Sequence, residues 1–169
     1  YASTGVGTAP HLSGELIAQR AGVKLVHVPY QGSPQAATDL LAGRLDAASV
    51  GAPAVLQFIK AGKLRCIATG TRARLPQLPD VPTVAEQGYP NFEMTQWYGL
   101  LAPASLPAAA VERLATEAAK AIKTPAAVSR LSEDTAQAVG DTPAEFARFI
   151  AAEQTRWKPV IARARIKPD

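Results

Sequence analysis

The feature that most constrains this chain is an alternation running through residues 1–90. Short apolar or β-branched runs, each stopped by Gly, Pro or hydroxyl residues, alternate with stretches of helical periodicity. Tyr1-Ala-Ser reads as the end of a strand and Thr4-Gly-Val-Gly-Thr-Ala as the loop after it. His11 to Ala21 then sets Leu12, Leu16 and Ile17 on one helical face, with a stop at Gly22. Lys24-Leu-Val-His-Val is a strand ended by Pro29. After Tyr30-Gln-Gly-Ser, Pro34 suits the first turn of a second helix, Leu40 and Leu41 face a core, and Gly43 closes it. Ala47 to Val50 is a short strand, Pro53 opens a third helix ending at Gly62, and Leu64 to Thr69 is a further strand. Strands joined through helices rather than tight turns give a mainly parallel sheet with helices on its faces, so the class is α/β.

Between Arg72 and Pro90 the pattern breaks. Pro76, Pro79, Pro82 and Pro90 punctuate a loop with one helical turn around Thr83 to Gln87, and Gln96 to Ala102 reads as a last strand. Beyond Pro103 the chain is mostly helical. Pro107 starts a helix with Val111, Leu114, Ala118 and Ile122 aligned, Pro125 starts another, and Thr142-Pro-Ala-Glu145 is a capping box opening a long last helix. A lobe boundary is expected near residues 96–103, dividing an α/β lobe at 1–98 from a crossover strand and mostly helical remainder at 99–169.

Composition narrows the function classes. With 47% hydrophobic and 19% charged residues, the 169-residue chain has ordinary globular usage, and no apolar run reaches the roughly 18 residues a membrane span needs. One cysteine, Cys66, excludes a disulfide framework and a cysteine-built zinc site. The net charge of +4 is local: from Arg156 onward, Arg156, Lys158, Arg163, Arg165 and Lys167 face only Asp169. Without a broad basic surface or aromatics among those charges, nucleic acid is not assigned as a partner. The chain starts at Tyr1 with neither Met nor a signal-like apolar region, which implies a processed chain or a piece of a longer one.

In a parallel α/β sheet, ligands sit at the carboxyl ends of the strands. Three loops qualify here. Thr4-Gly5-Val6-Gly7-Thr8-Ala9-Pro10 places two glycines and two hydroxyls ahead of a helix, and Tyr30-Gln31-Gly32-Ser33-Pro34 repeats the design. Glycine permits close backbone approach and a helix start offers unpaired N–H groups, so an anion is the expected guest. Val50-Gly51-Ala52-Pro53 is shorter and nearly apolar.

Other chemistries fit less well. A dinucleotide loop lacks its third glycine, replaced by Pro10, and the following strand ends in Pro29-Tyr30 rather than an acid. No Gly-x-Ser-x-Gly elbow is present, His27 lies mid-strand, and His11 lies in a first helical turn, where it packs or caps. Glu15 at i+4 from His11 is too little for a metal site. Asp46, at a helix-to-strand junction, is expected to accept local backbone N–H groups. Of Trp97 and Tyr98, alternation lets at most one line a cleft. No catalytic residue, metal or cofactor is assigned.

Several motifs in order then carry a resemblance. Gly5-x-Gly7-x-x-Pro10-His11-Leu12-x-Gly14-Glu15-Leu16, Val26-His27-Val28-Pro29-Tyr30-x-Gly32, Asp39-Leu40-Leu41-x-Gly43-x-Leu45-Asp46, Ile59-Lys60-Ala61-Gly62-Lys63-Leu64-Arg65, Leu78-Pro79-Asp80-Val81-Pro82-Thr83-Val84-Ala85-Glu86 and Trp97-Tyr98-Gly99-Leu100-Leu101-Ala102-Pro103 resemble the Bug-type periplasmic substrate-binding proteins of tripartite tricarboxylate transporters. The resemblance implies a type II periplasmic-binding-protein-like lobe followed by the C-terminal helices of an incomplete second lobe, and hence a fragment. It implies an extracytoplasmic, non-enzymatic receptor that captures a small carboxylate for the membrane components of a secondary transporter. The implied ligand contacts are Thr4, Gly5, Gly7, Thr8, Ala9, His11, Tyr30, Gly32, Ser33, Val50 and Gly51; family members often have a polar residue in the third loop. A ligand-sensing module of a transcriptional regulator is the alternative, because such modules reuse the bilobal architecture. The apolar stripes after Pro107, including Phe146, Phe149, Ile150 and Trp157, suggest a homodimer through the C-terminal helices.

Overall fold

Ala2 and Ser3, both fully buried, are the centre around which the first part of the chain is laid down. In the computed structural model, which describes residues 1–167, they form β1 (Ala2–Ser3). β1 pairs in parallel with β2 (Val28–Pro29), in the register Ala2 to Val28 and Ser3 to Pro29. Along its opposite edge Ala2 makes a parallel bridge to Ala48, its N–H donating to Ala47 O at 3.0 Å and its O accepting from Ser49 N–H at 2.9 Å. The spatial order is therefore β2, β1, then residues 47–49.

Pro29 ends the strand as expected, and does so as its last paired residue. The ladder uses Val28 N–H to Tyr1 O at 2.9 Å and Tyr30 N–H to Ser3 O at 3.0 Å, so residue 29 owes no donor to β1. An edge strand tolerates proline on those terms. Residues 24–27, read as strand, lie outside the ladder, and Val26 is 80% exposed.

Each strand feeds a helix, α1 (Ala9–Ala21) after β1 and α2 (Ser33–Leu41) after β2. α1 ends at Gly22 in the left-handed conformation and buries His11, Gly14, Leu16 and Ala18. α2 buries Ala36 and Ala37 rather than Leu40 and Leu41, the latter 37% exposed, because small residues let the helix lie close to its neighbours. The third helix is shorter than its pattern suggests. A 3₁₀ turn (Ala52–Ala54) precedes α3 (Leu56–Lys60), because Val55 at φ −120° and ψ −9° interrupts the helical run. Leu64 to Thr69 is not a strand: only Thr69 pairs, in a parallel bridge with Thr83. Gln96 to Ala102 likewise forms no strand among the described residues. Asp46 is exposed and accepts no hydrogen bond among the described residues, while Gly43 at φ +71° and Arg44 N–H to Asp39 O at 2.9 Å close that junction.

The backbone forms two compact units, Tyr1–Gln96 with the described residues from Val160, and Trp97–Pro159. In the first, Gln19 Nε2 donates to Val160 O at 3.3 Å, a contribution from the last helix that the sequence boundary omitted. The second holds α4 (Ala108–Ile122), α5 (Pro125–Glu133) and most of α6 (Pro143–Ala164). The division falls at Pro159, which has no N–H for the helical ladder of α6. Thr142 and Glu145 form the expected capping box: Thr142 Oγ1 accepts from Glu145 N–H at 3.3 Å and Glu145 Oε2 accepts from Thr142 N–H at 2.9 Å. Trp97 packs edge-on against Phe146 and Phe149, with centroids 5.5 Å away in both pairs, while Tyr98 is 87% exposed.

Candidate ligand-binding site

Because β1, β2 and residues 47–49 are parallel, the loops that follow them leave the sheet at one end. The first two loops abut: a Cβ on Gly5 would lie 3.8 Å from Tyr30 O.

The first loop is fixed by its own polar groups. Gly5 N–H donates to Ser3 Oγ at 3.2 Å, and Gly5 O accepts from Thr8 Oγ1 at 2.7 Å and from Ser3 Oγ at 3.1 Å. Gly7 N–H donates to His11 Nδ1 at 3.0 Å, and Thr4 Oγ1 donates to Thr8 Oγ1 at 3.3 Å. Gly5 and Gly7 sit at φ +131° and +73°, which explains why both are glycine. What this leaves open is the start of α1. Thr8 places no side-chain cap on the helix, its first turn has no acid, and the N–H groups of Ala9 and His11 have no partner among the described residues.

α2 starts the same way. Gly32, at φ +113° and ψ 165°, is its N-cap without a side-chain bond, and the N–H groups of Ser33 and Gln35 are unpaired among the described residues. Tyr30 is turned aside: its OH donates to Asp39 Oδ2 at 2.8 Å, and Arg44 binds Asp39 Oδ1 at 2.8 Å. The Tyr30 hydrogen bond, then Arg44, holds the Asp39 carboxyl below its usual range, and the same bond raises the Tyr30 phenol. In the third loop Val50 is half-buried and Gly51 takes an ordinary φ of −63°. None of the three loops contains Asp, Glu, Lys or Arg.

The proposed contacts therefore divide by chemistry. Ala9, His11 and Ser33 offer open amides and Gly32 shapes the second loop. Gly5, Gly7 and Thr8 spend their polar groups inside the first loop. Val50 and Gly51 present an apolar edge. Helix N-termini with open N–H groups and the positive end of the dipole favour a negative guest.

Sequence reading missed the group beneath the first loop. His27 lies just before β2 rather than mid-strand, and its Nε2 is 2.6 Å from Ser3 Oγ. Its ring stacks on His11 with centroids 3.8 Å apart. Only the parallel register, which sets residue 28 beside residue 2, could have signalled this. In the C-terminal unit, a cavity of about 330 Å³ is lined by Lys120, Lys123, Gly140, Asp141 and neighbours, none of them a predicted site residue.

Glycine loops leading into uncapped helices at one end of a parallel sheet form an α/β lobe with a candidate anion site. The backbone superposes on an R. palustris protein, Rpa4515, solved with adipate, at a TM-score of 0.87 and 34% identity, covering 100% of this chain and 56% of that one. The chain belongs to the tripartite tricarboxylate transporter family receptor group, matched over residues 1–166, as the Bug-type resemblance implied. It is 41% identical over 170 residues to the UPF0065 protein of the tcbD-tcbE intergenic region of Pseudomonas sp. strain P51, of which it spans about half the length, 51%. It is 37% identical over 166 residues to the UPF0065 protein of the clcB-clcD intergenic region of Pseudomonas knackmussii, covering 98% of each. Among the described residues no helix is long and apolar enough to cross a membrane.

Proposed function

We propose that this chain supplies the carboxylate-binding wall of a periplasmic solute receptor, which captures a small carboxylate for the membrane components of a tripartite secondary transporter. One observation carries the reading: two neighbouring helices, α1 and α2, begin without side-chain caps or first-turn acids at the same end of a parallel sheet. The similar structure solved with adipate supports a carboxylate as the guest. Recognition on this wall works through backbone N–H groups, since no basic side chain belongs to the loops. No step of bond-making chemistry enters the account.

A single wall binds weakly. The chain should hold adipate at millimolar strength, about −4 kcal/mol, against about −8 kcal/mol for micromolar binding in a closed cleft. Saturation-transfer NMR with adipate and its neutral diamide tests the charge requirement. Saturable binding of adipate alone is expected, and equal binding of the diamide would overturn the reading.

A further inference from the structure

We propose that His27 and His11, stacked beneath the first glycine loop, are positioning residues that hold that loop in its anion-accepting form. The proposal rests on reading the loop and the start of α1 as a carboxylate site.

The Gly7 N–H bond assigns the His11 proton directly, and the contacts around Ser3 allow two arrangements at His27. Ser3 is fully buried, and its Oγ has one proton to give and two acceptor positions. The proton can go to His27 Nε2 at 2.6 Å or to Gly5 O at 3.1 Å, while Gly5 N–H, at 3.2 Å, fills one acceptor position; the positioning role takes the arrangement in which Gly5 O receives it. The contact of 2.6 Å to His27 Nε2 is then satisfied when His27 donates from Nε2. His11 accepts from Gly7 N–H at Nδ1, so its own proton is on Nε2, 3.8 Å from Glu15 Oε1. Each ring thus governs one glycine amide: His27 acts on Gly5 through Ser3, and His11 acts on Gly7 directly.

The surroundings keep the rings neutral. They lie 3.8 Å apart and 8° from parallel, so two protonated imidazoles would repel strongly. The charged and titratable groups against them are Glu15 on α1, the Tyr1 phenol, which donates to Glu15 Oε1 at 3.1 Å, and the Tyr1 amino group, which donates to Val26 O at 2.6 Å. Burial lowers both imidazoles below their usual range, more than Glu15 raises them, and for His27 the neighbouring His11 adds to the fall. A proton added to His11 at Nδ1 takes away the acceptor of Gly7 N–H, two residues ahead of Ala9, where α1 starts. Two effects of acid then compete. Added positive charge alone would tighten anion binding, whereas release of the Gly7 amide weakens it, and the positioning role predicts the second.

The test uses the whole chain, labelled with ¹⁵N. Long-range imidazole spectra at neutral pH should show both rings as Nε2–H tautomers, and on acidification the Gly5 and Gly7 amide resonances should follow the imidazole titrations. His11 protonated at Nδ1 in its neutral form, or glycine amides indifferent to the titration, would overturn the proposal. Against adipate, His27→Ala should bind about tenfold more weakly, and His27→Gln, which keeps a side-chain N–H for Ser3, should recover most of the loss. Binding that tightens in acid, or equal loss in both variants, would also overturn it. If the unaltered chain binds no adipate, the carboxylate reading fails while the tautomer and amide spectra still judge the positioning role. Those spectra also decide the matter if His27→Ala does not fold.

Discussion

Gly32 and Gly51 stand in two of the three loops, and the same substitution should move them in opposite directions. Gly32 has φ +113° and ψ 165°, a region closed to side-chain-bearing residues, whereas Gly51 has φ −63° and ψ 136°, which any residue adopts. Sterics do not separate them. A Cβ on Gly32 would meet Pro34 Cδ at 3.7 Å and one on Gly51 would meet Pro53 Cδ at 3.8 Å, both ordinary contacts. The difference is therefore conformational. Gly32→Ala should cost about 1–3 kcal/mol of backbone strain, while Gly51→Ala should gain about 0.4–1 kcal/mol by restricting the unfolded chain. Urea unfolding followed by circular dichroism reads this as midpoints displaced to opposite sides of the unaltered chain, with unchanged slopes. Alanine at residue 32 relieves its strain by rotating the peptide that carries Ser33 N–H, so adipate binding should weaken there and persist in Gly51→Ala. Coincident midpoints for the two variants would refute the argument from backbone conformation.

Three further outcomes are expected. Because both imidazoles are lowered by burial, the unfolded chain binds more protons than the folded one just below the ordinary imidazole value of about 6.5. Their contribution is fully present above that value and is lost as pH falls toward the folded values; melting temperatures that stay level from neutral to mildly acidic buffer would contradict this. Thr142→Ala removes the cap of α6 and should cost about 1 kcal/mol, seen as a lower urea midpoint, and an unchanged midpoint would argue against the capping box. Leu100, Leu101, Leu114, Val128 and Phe149 are all exposed, so the chain should run as a dimer in light scattering after size exclusion, and a monomer mass would remove the homodimer expectation.

Helices were legible wherever a stop residue had a local cause. Gly22 and Gly43 lie in left-handed conformations at helix ends, and Thr142 with Glu145 forms the box that its spacing announces. Strands were not, because a strand exists only with its partner. Leu64 to Thr69 and Gln96 to Ala102 have strand-like patterns, yet among the described residues only Thr69 of these finds a bridge, and Pro29 is a strand residue because its missing donor faces away from β1. At the candidate site, residue types pointed to an anion loop without revealing which amides are free. That distinction depends on Ser3 accepting from Gly5 and on His11 accepting from Gly7, bonds between near neighbours whose side-chain geometry the residue types alone do not fix. The Ser3 to His27 contact joins residues 24 positions apart and appears only once β1 and β2 are in register.

The proposed function requires a carboxylate on the open amides at the starts of α1 and α2. Amide chemical-shift mapping during an adipate titration tests it most directly. The largest displacements should fall on Ala9, His11, Ser33 and Gln35, with Gly5 and Gly7 following weakly because their N–H groups are already bonded within the fold. Displacements centred instead on Lys120, Lys123 and Asp141, around the cavity of the C-terminal unit, would contradict the claim.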